Sequence, residues 1–463
     1  MAESSAYDLV IIGSGPGGYV AAVRAAQLGL KTACVEKRTR LGGVCLNEGC
    51  IPSKALLDSS EHFHFARTEL AAHGITAGEV RMDLAKMMAR KEQVVKELTD
   101  NVRKLLEHHK VTLVQGTAKL TGRQRVEVAS EAGSRTLTAP NLILAAGSEP
   151  LAPAGLAFDG KTIVSSTEAL RLSSVPERLG IVGGGYIGLE LGSVWLRLGA
   201  KVTVIEMLPE IAPTLDGQVR RRLQSILKRQ GFTFRLQTRV KSAAVANGKA
   251  AVEVESGGTT DTLEFDTLLV SVGRRPLTRG LGLEAAGVET DPKTGCVRVD
   301  ASLRTSAPGI YAIGDLVPGP MLAHKASAEG RAAAEIIAGR PGEVNYDAIP
   351  AIVYTAPEVA GVGLTEEQVK AREIPYATGL YPFAGAGRAR CLGETEGFVK
   401  LIAHKTTDRL LGAHIIGARA SEMIAEAVVA LEFGASAEDI ARTVHGHPTF
   451  SEALMEAAAA VRA

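Results

Sequence analysis

The stretch Tyr7-Asp-Leu-Val-Ile-Ile-Gly13-Ser-Gly15-Pro-Gly-Gly18 decides the fold. Its first half is a nearly continuous apolar run, the pattern of a strand buried on both faces. A Gly-x-Gly-x-x-Gly turn follows, then the small, helically spaced residues Tyr19 to Leu28, then a second apolar run from Lys31 to Val35 that ends at Glu36. Each part has a physical task. Gly13 permits the tight turn, Gly15 lets the backbone approach a pyrophosphate at the helix N-terminus, Gly18 lets helix pack on strand, and Glu36 accepts from ribose hydroxyls. One such pattern is weak evidence, because a glycine turn can exist without a ligand. Here it recurs. Leu179 to Val182 leads into Gly183-Gly-Gly185-Tyr-Ile-Gly188, a helix-like run reaches Leu198, and Lys201 to Ile205 ends at Glu206. In both copies 23 residues separate the first glycine from the acid, so two dinucleotide-binding domains are expected. A carboxylate at Glu206 suits a ribose 2′-hydroxyl and repels a 2′-phosphate. Neither Met207 nor Leu208 supplies a counter-charge, so NAD is favoured over NADP.

After the first fingerprint comes Leu41-Gly-Gly-Val-Cys45-Leu-Asn-Glu-Gly-Cys50-Ile-Pro-Ser-Lys54, a cysteine pair directly before a helix-like run. Pro52 fits the first helical turn, which sets the Cys50 sulfur at the positive end of a helix dipole and favours a thiolate. The pair therefore reads as a dithiol that opens and closes. A structural disulfide is the alternative, but nothing at the N-terminus resembles a secretion signal, and cytosolic disulfides are usually catalytic or redox-sensing. A zinc site with His445 and His447 is a further alternative. The cysteine spacing is unusual for zinc, so no metal is expected. Cys34, Cys296 and Cys391 read as buried, inert thiols.

Composition sets the outer limits. At about 150 residues per domain, 463 residues suggest about three domains. Lys and Arg (52) balance Asp and Glu (51), so no global charge draws the chain to nucleic acid or to an anionic membrane. No apolar run approaches the roughly 18 residues of a membrane span. These features lead to the expectation of a soluble, cytoplasmic protein.

An ordered set of further motifs completes the pattern: Ala145-Ala-Gly147-Ser148, Val272-Gly273-Arg-Arg-Pro276, Gly309-Ile-Tyr-Ala-Ile-Gly314-Asp315, Met321-Leu-Ala323-His-Lys-Ala326 and His445-Gly-His447-Pro-Thr-Phe-Ser-Glu452. Together with the cysteine segment they resemble the pyridine nucleotide disulfide oxidoreductases, and within them the dihydrolipoamide dehydrogenases. The resemblance implies an α/β fold with two Rossmann-like dinucleotide-binding domains, for FAD and NAD, and a C-terminal α+β dimerisation domain. The FAD domain would span 1–147 and return at 274–345, with the NAD domain inserted at 148–273 and the dimerisation domain at 346–463.

The resemblance also implies roles. FAD would lie against Gly13, Gly15, Gly18, Glu36, Lys54, Gly147, Gly314, Asp315 and Ala323. NAD would lie against Gly183, Gly185, Gly188, Glu190, Glu206 and Gly273. Cys45 would exchange with substrate, Cys50 would face the flavin, His447 would act as base oriented by Glu452, and Lys54 would pair with Glu190. The assembly implied is a homodimer in which His447 serves the partner's cysteines. No lipoyl domain precedes Tyr7, so the lipoyl group is expected on an acyltransferase core or carrier protein, with neither nucleic acid nor membrane as partner. Two residues depart from the pattern. Glu48 adds a negative charge between the cysteines, which would raise a thiolate's pKa if close and poorly solvated. Tyr186 stands where glutathione reductases carry a tyrosine, which keeps a glutathione reductase-like enzyme as an alternative despite Glu206. A non-catalytic flavin-bearing subunit is the other alternative. A mercuric reductase would add a cysteine pair to the tail Ala457 to Ala463, and a transhydrogenase would lack one of the two cysteines.

Overall fold

The computed structural model describes residues 4–462, which divide into two compact units. The first comprises residues up to Leu56, Asp83–Leu151 and Gly273–Val344. Its centre is a parallel sheet in the order Ile310–Ala312, Asn141–Leu144, Leu9–Ile12, Thr32–Glu36, Thr112–Gln115. Alternation explains why Leu9 to Ile12 reads as one apolar run. Leu9 and Ile11 pack towards helices Pro16–Gln27 and Ala323–Ile337. Val10 and Ile12 pack towards the antiparallel strands Thr117–Gly122, Arg125–Ser130 and Gly133–Thr138. The two helices approach closely at Gly17 and Gly330, where an added methyl would strike the Gly17 carbonyl oxygen. Overpacking such a contact costs about 1–3 kcal/mol.

The second unit comprises Leu57–Met82, Ala152–Val272 and the chain from Asn345. It repeats the plan: a parallel sheet in the order Ile163–Val164, Thr267–Val270, Arg178–Val182, Lys201–Ile205, Thr233–Arg235, with antiparallel strands Thr238–Ala246, Lys249–Ser256 and Thr259–Phe265. Val252, Val254 and Phe265 of those strands share a core with Val182, Ile205 and Val270. A third sheet is wholly antiparallel, in the order Ala351–Val353, Glu358–Gly363, Leu410–Gly417, Phe398–His404, Tyr376–Pro382. Helices Ala420–Glu432 and Glu452–Ala459 share its core.

The expected fold class is therefore the observed one, with shifts at element ends. The strand of the first fingerprint begins at Leu9 and not at Tyr7, and before it the Asp8 carboxylate accepts from the Lys31 amide at 2.8 Å. The first helix begins at Pro16 and not at Tyr19, since proline's missing N–H is no loss in a first turn. Among the described residues no helix is long and apolar enough to cross a membrane.

Candidate active site

The two fingerprints share one geometry. Gly13 and Gly183 adopt φ of +107° and +103°, which a side chain resists, and a Cβ on Gly183 would lie 2.6 Å from the Ser271 carbonyl oxygen. Gly18 and Gly188 press on the carbonyls of Gly13 and Gly183. The middle glycines differ in kind. A Cβ on Gly185 would meet nothing within 4 Å, and one on Gly15 only the Gly43 Cα at 3.9 Å. Helices Pro16–Gln27 and Tyr186–Arg197 both begin without a side-chain cap, so first-turn amides face that open cradle. Such a cradle fits a pyrophosphate.

The acids are held alike. Glu36 accepts from the Ser14 amide (3.0 Å) and hydroxyl (2.7 Å) through one oxygen and from the Arg38 amide (3.0 Å) through the other. Glu206 accepts from the Gly184 amide at 2.7 Å and the Leu208 amide at 2.8 Å. Both are buried, and a carboxylate's remaining lone pairs suit ribose hydroxyls. The residues present thus fit two dinucleotides.

The cysteine segment is seated on the first fingerprint. The Gly42 amide donates to the Ser14 carbonyl at 3.0 Å, and Gly43 lies against Gly15. Cys45 sits in the short helix Gly43–Glu48, clamped by Asn47, whose amide donates to the carbonyls of Leu41 and Gly43 at 2.9 Å each. Cys50 opens helix Cys50–Thr68, at its positive end. Both are half-buried, and the pair is in its reduced form. The Cys45 thiol is pushed up, first by its hydrogen bond with Cys50 and then by burial and the charge on Cys50, while Lys54 pulls the other way. A dithiol so arranged keeps its proton on Cys45, and a base is needed to manage that proton. Glu48 is neutralised by Arg38 at 2.9 Å. The sequence could not show this partner.

His447 belongs to the second unit. Both histidines lie in the loop between helices Ala437–Arg442 and Glu452–Ala459, on no strand. His447 Nδ1 is 2.8 Å from Glu452 Oε1, and the Thr449 amide donates to Glu452 Oε2 at 2.6 Å. The Glu452 carboxyl is held low, first by the Thr449 amide and then by His447. A carboxylate accepts only, so Nδ1 carries the proton and the exposed ring presents Nε2 as a base.

The other expected residues are spread as follows. Gly147, Gly314, Asp315 and Ala323 share the first unit with the cysteines and with Lys54, which is half-buried. Ala323 opens the uncapped helix Ala323–Ile337. Glu190 is buried in the second unit and accepts from the Tyr354 amide at 3.0 Å, so it is no surface charge. Gly273, assigned above to NAD, falls with the first unit, beside strand Arg274–Pro276, which pairs with Ser148–Pro150. Tyr186 begins its helix, exposed. Cys34 and Cys296 are buried, but Cys391 is exposed. Its helix Gly387–Leu392 turns Ala389 into the core, and two residues on is the opposite face.

Sequence reasoning missed the groups that hold Gly314 and Asp315. Ser148 Oγ donates to Asp315 at 2.5 Å and receives from Arg274 Nε at 2.7 Å. Glu329 accepts from the Gly314 amide (2.7 Å), and Lys325 donates to the Gly314 carbonyl (3.0 Å). Lys325 and Glu329 pair at 3.1 Å with no exposed side-chain surface. Removing one partner from such a pair costs about 3–5 kcal/mol.

Residues 7–330 match the pyridine nucleotide-disulphide oxidoreductase family and residues 349–458 its dimerisation domain. The chain belongs to this family. It is 49% identical over 456 residues to the mitochondrial dihydrolipoyl dehydrogenase of Pisum sativum, covering 98% of this chain and 91% of that one. To the mitochondrial dihydrolipoyl dehydrogenase of Homo sapiens it is 49% identical, covering 97% and 89%. Among solved structures, LpdA from Mycobacterium tuberculosis matches with a TM-score of 0.91 at 26% identity, covering 98% of this chain and 99% of that one. The chain is thus an oxidoreductase and flavoprotein of a family that uses FAD and NAD, and it carries that family's dimerisation domain. The glutathione reductase-like and non-catalytic alternatives are not favoured. The cytoplasmic expectation is overturned by the mitochondrial relatives. It had rested on balanced charge and on the lack of a membrane-length apolar run, neither of which tells one aqueous compartment from another.

Proposed function

We propose that this chain oxidises dihydrolipoamide, carried on an acyltransferase core or carrier protein, with NAD as acceptor. The observation that carries the reading is the Cys45–Cys50 pair seated through Gly42 and Gly43 on the first nucleotide turn. The chemistry balances at each step. A substrate thiolate attacks Cys45, forming a mixed disulfide as Cys50 leaves. The second substrate sulfur displaces Cys45, lipoamide departs, and two electrons remain on the cysteine pair. His447 Nε2 takes a substrate proton and returns it to Cys45, the sulfur that keeps it in the dithiol, while Glu452 steadies the imidazolium. Bound FAD supplies the relay of two electrons and a proton from the dithiol to NAD. The sum is dihydrolipoamide plus NAD⁺ giving lipoamide, NADH and a proton.

In this reading residues 1–147 and 274–345 form the FAD domain, 148–273 the NAD domain and 346–463 the interface. The working assembly is a homodimer with His447 acting on the partner's cysteines. Val429, Phe433 and Val444, exposed by 56, 84 and 94%, support a surface that a second copy covers.

Steady-state rates test this. Dihydrolipoamide with NAD should turn over well above dihydrolipoamide with NADP or glutathione with either nicotinamide. Glu206→Ala with Met207→Arg should move preference towards NADP by about 1–3 kcal/mol, the exchange of one charge-assisted contact. Preference for glutathione with NADP would discard the reading.

A further inference from the structure

His445 differs from His447 in every respect that matters for a proton. Its side chain is 6% exposed against 79% for His447. Its Nδ1 lies 2.8 Å from the Thr443 carbonyl oxygen and its Nε2 lies 2.7 Å from Glu426 Oε1. A carbonyl oxygen only accepts, so Nδ1 carries a proton. A carboxylate also only accepts, so Nε2 carries the other. Placing the second proton on Glu426 instead would set a neutral acid, about a third exposed, beside the stronger base.

Resting on the functional reading above, we propose that His445 is a positioning residue for the base: locked as an imidazolium between Thr443 and Glu426, it ties the His447 loop to helix Ala420–Glu432 and keeps Glu452 ionised. The charged groups facing it are Glu426 from that helix and Glu452 from the start of the next. Burial opposes its charge, but the Thr443 carbonyl and Glu426 outweigh burial and raise the imidazole above its ordinary value. Its positive charge in turn helps hold the Glu452 carboxyl low, after the Thr449 amide and His447. Glu452 as a carboxylate fixes Nδ1–H on His447 and leaves Nε2 free. His445 touches no reacting atom and acts through Glu452 and the loop.

The test uses His445→Gln and Glu426→Gln in the flavin-loaded protein. The first removes the cation and one loop tie. The second keeps an acceptor for Nε2 but removes the charge that sustains the imidazolium. For His445→Gln, kcat with dihydrolipoamide and NAD should fall roughly tenfold, with KM changing less, because base positioning carries part of the roughly 10²–10⁴-fold of general base catalysis. In both variants the acid-side loss of activity should move to higher pH, because Glu452, relieved of a neighbouring cation, takes up its proton sooner. NADH oxidation by ferricyanide, which does not need the dithiol, should be unchanged and reports an intact flavoprotein. Wild-type kcat and pH profile in both variants would overturn the proposal, as would a rate loss equal at all pH values, the mark of a merely structural residue. Should His445→Gln fail to fold, the pH profile of Glu426→Gln decides alone. A wild type inert towards dihydrolipoamide yet active with ferricyanide would overturn the functional reading and this inference with it.

Discussion

Cys45→Ser is expected to abolish turnover of dihydrolipoamide with NAD, by roughly 10³-fold or more, while the flavin stays bound. A serine oxygen cannot form the disulfide that accepts the substrate's electrons. Flavin retention follows from the site's construction: the cradle is made by the Gly15 turn, the uncapped helix Pro16–Gln27 and Glu36, none of which needs the Cys45 sulfur. Cys50→Ser should be equally inactive, since Cys50 is the leaving sulfur of the first exchange. The checks are the steady-state rate and the flavin absorbance of the purified variants. Wild-type activity in Cys45→Ser would remove the disulfide mechanism.

A second large effect concerns assembly. Cys45 lies in the first compact unit and His447 in the second. In the proposed dimer each histidine serves its partner's cysteines. Chains carrying Cys45→Ser and chains carrying His447→Ala should each be inactive, and mixing them under conditions that exchange subunits should restore activity. After random reassortment about half the dimers are mixed and each holds one intact site of two, so recovery should approach about a quarter of wild type. No recovery despite demonstrated exchange would place both residues' work within one chain.

What the sequence showed and what it hid divide along a physical line. Fingerprints, strands and helices are written in neighbouring residues, so the strand Lys201–Ile205 and the helix beginning at Ala420 could be read within a turn or less. The grip on Asp315 could not, because Ser148 and Asp315 stand 167 positions apart and nothing periodic joins them. The motifs around Ser148, Arg274 and Lys325 were visible as runs of residues, but their mutual contacts were not. Cys391 was misjudged because a six-residue helix shows too little periodicity to declare its buried face. His445 and His447 stand two positions apart in one motif, yet the loop gives them different partners, Glu426 and Glu452, which no local pattern announces. Glu48 looked like a hazard to the thiolate until Arg38 was seen beside it.

The central claim is that electrons pass from dihydrolipoamide through Cys45 and Cys50 to NAD. Anaerobic labelling of thiols in the flavin-loaded protein, read peptide by peptide, tests it most directly. Cys45 and Cys50 should resist alkylation before substrate, both label after dihydrolipoamide is added, and both become protected again on adding NAD, with about one NADH formed per chain. NADH formation with no change in the labelling of either cysteine, or labelling that dihydrolipoamide does not alter, would contradict the account.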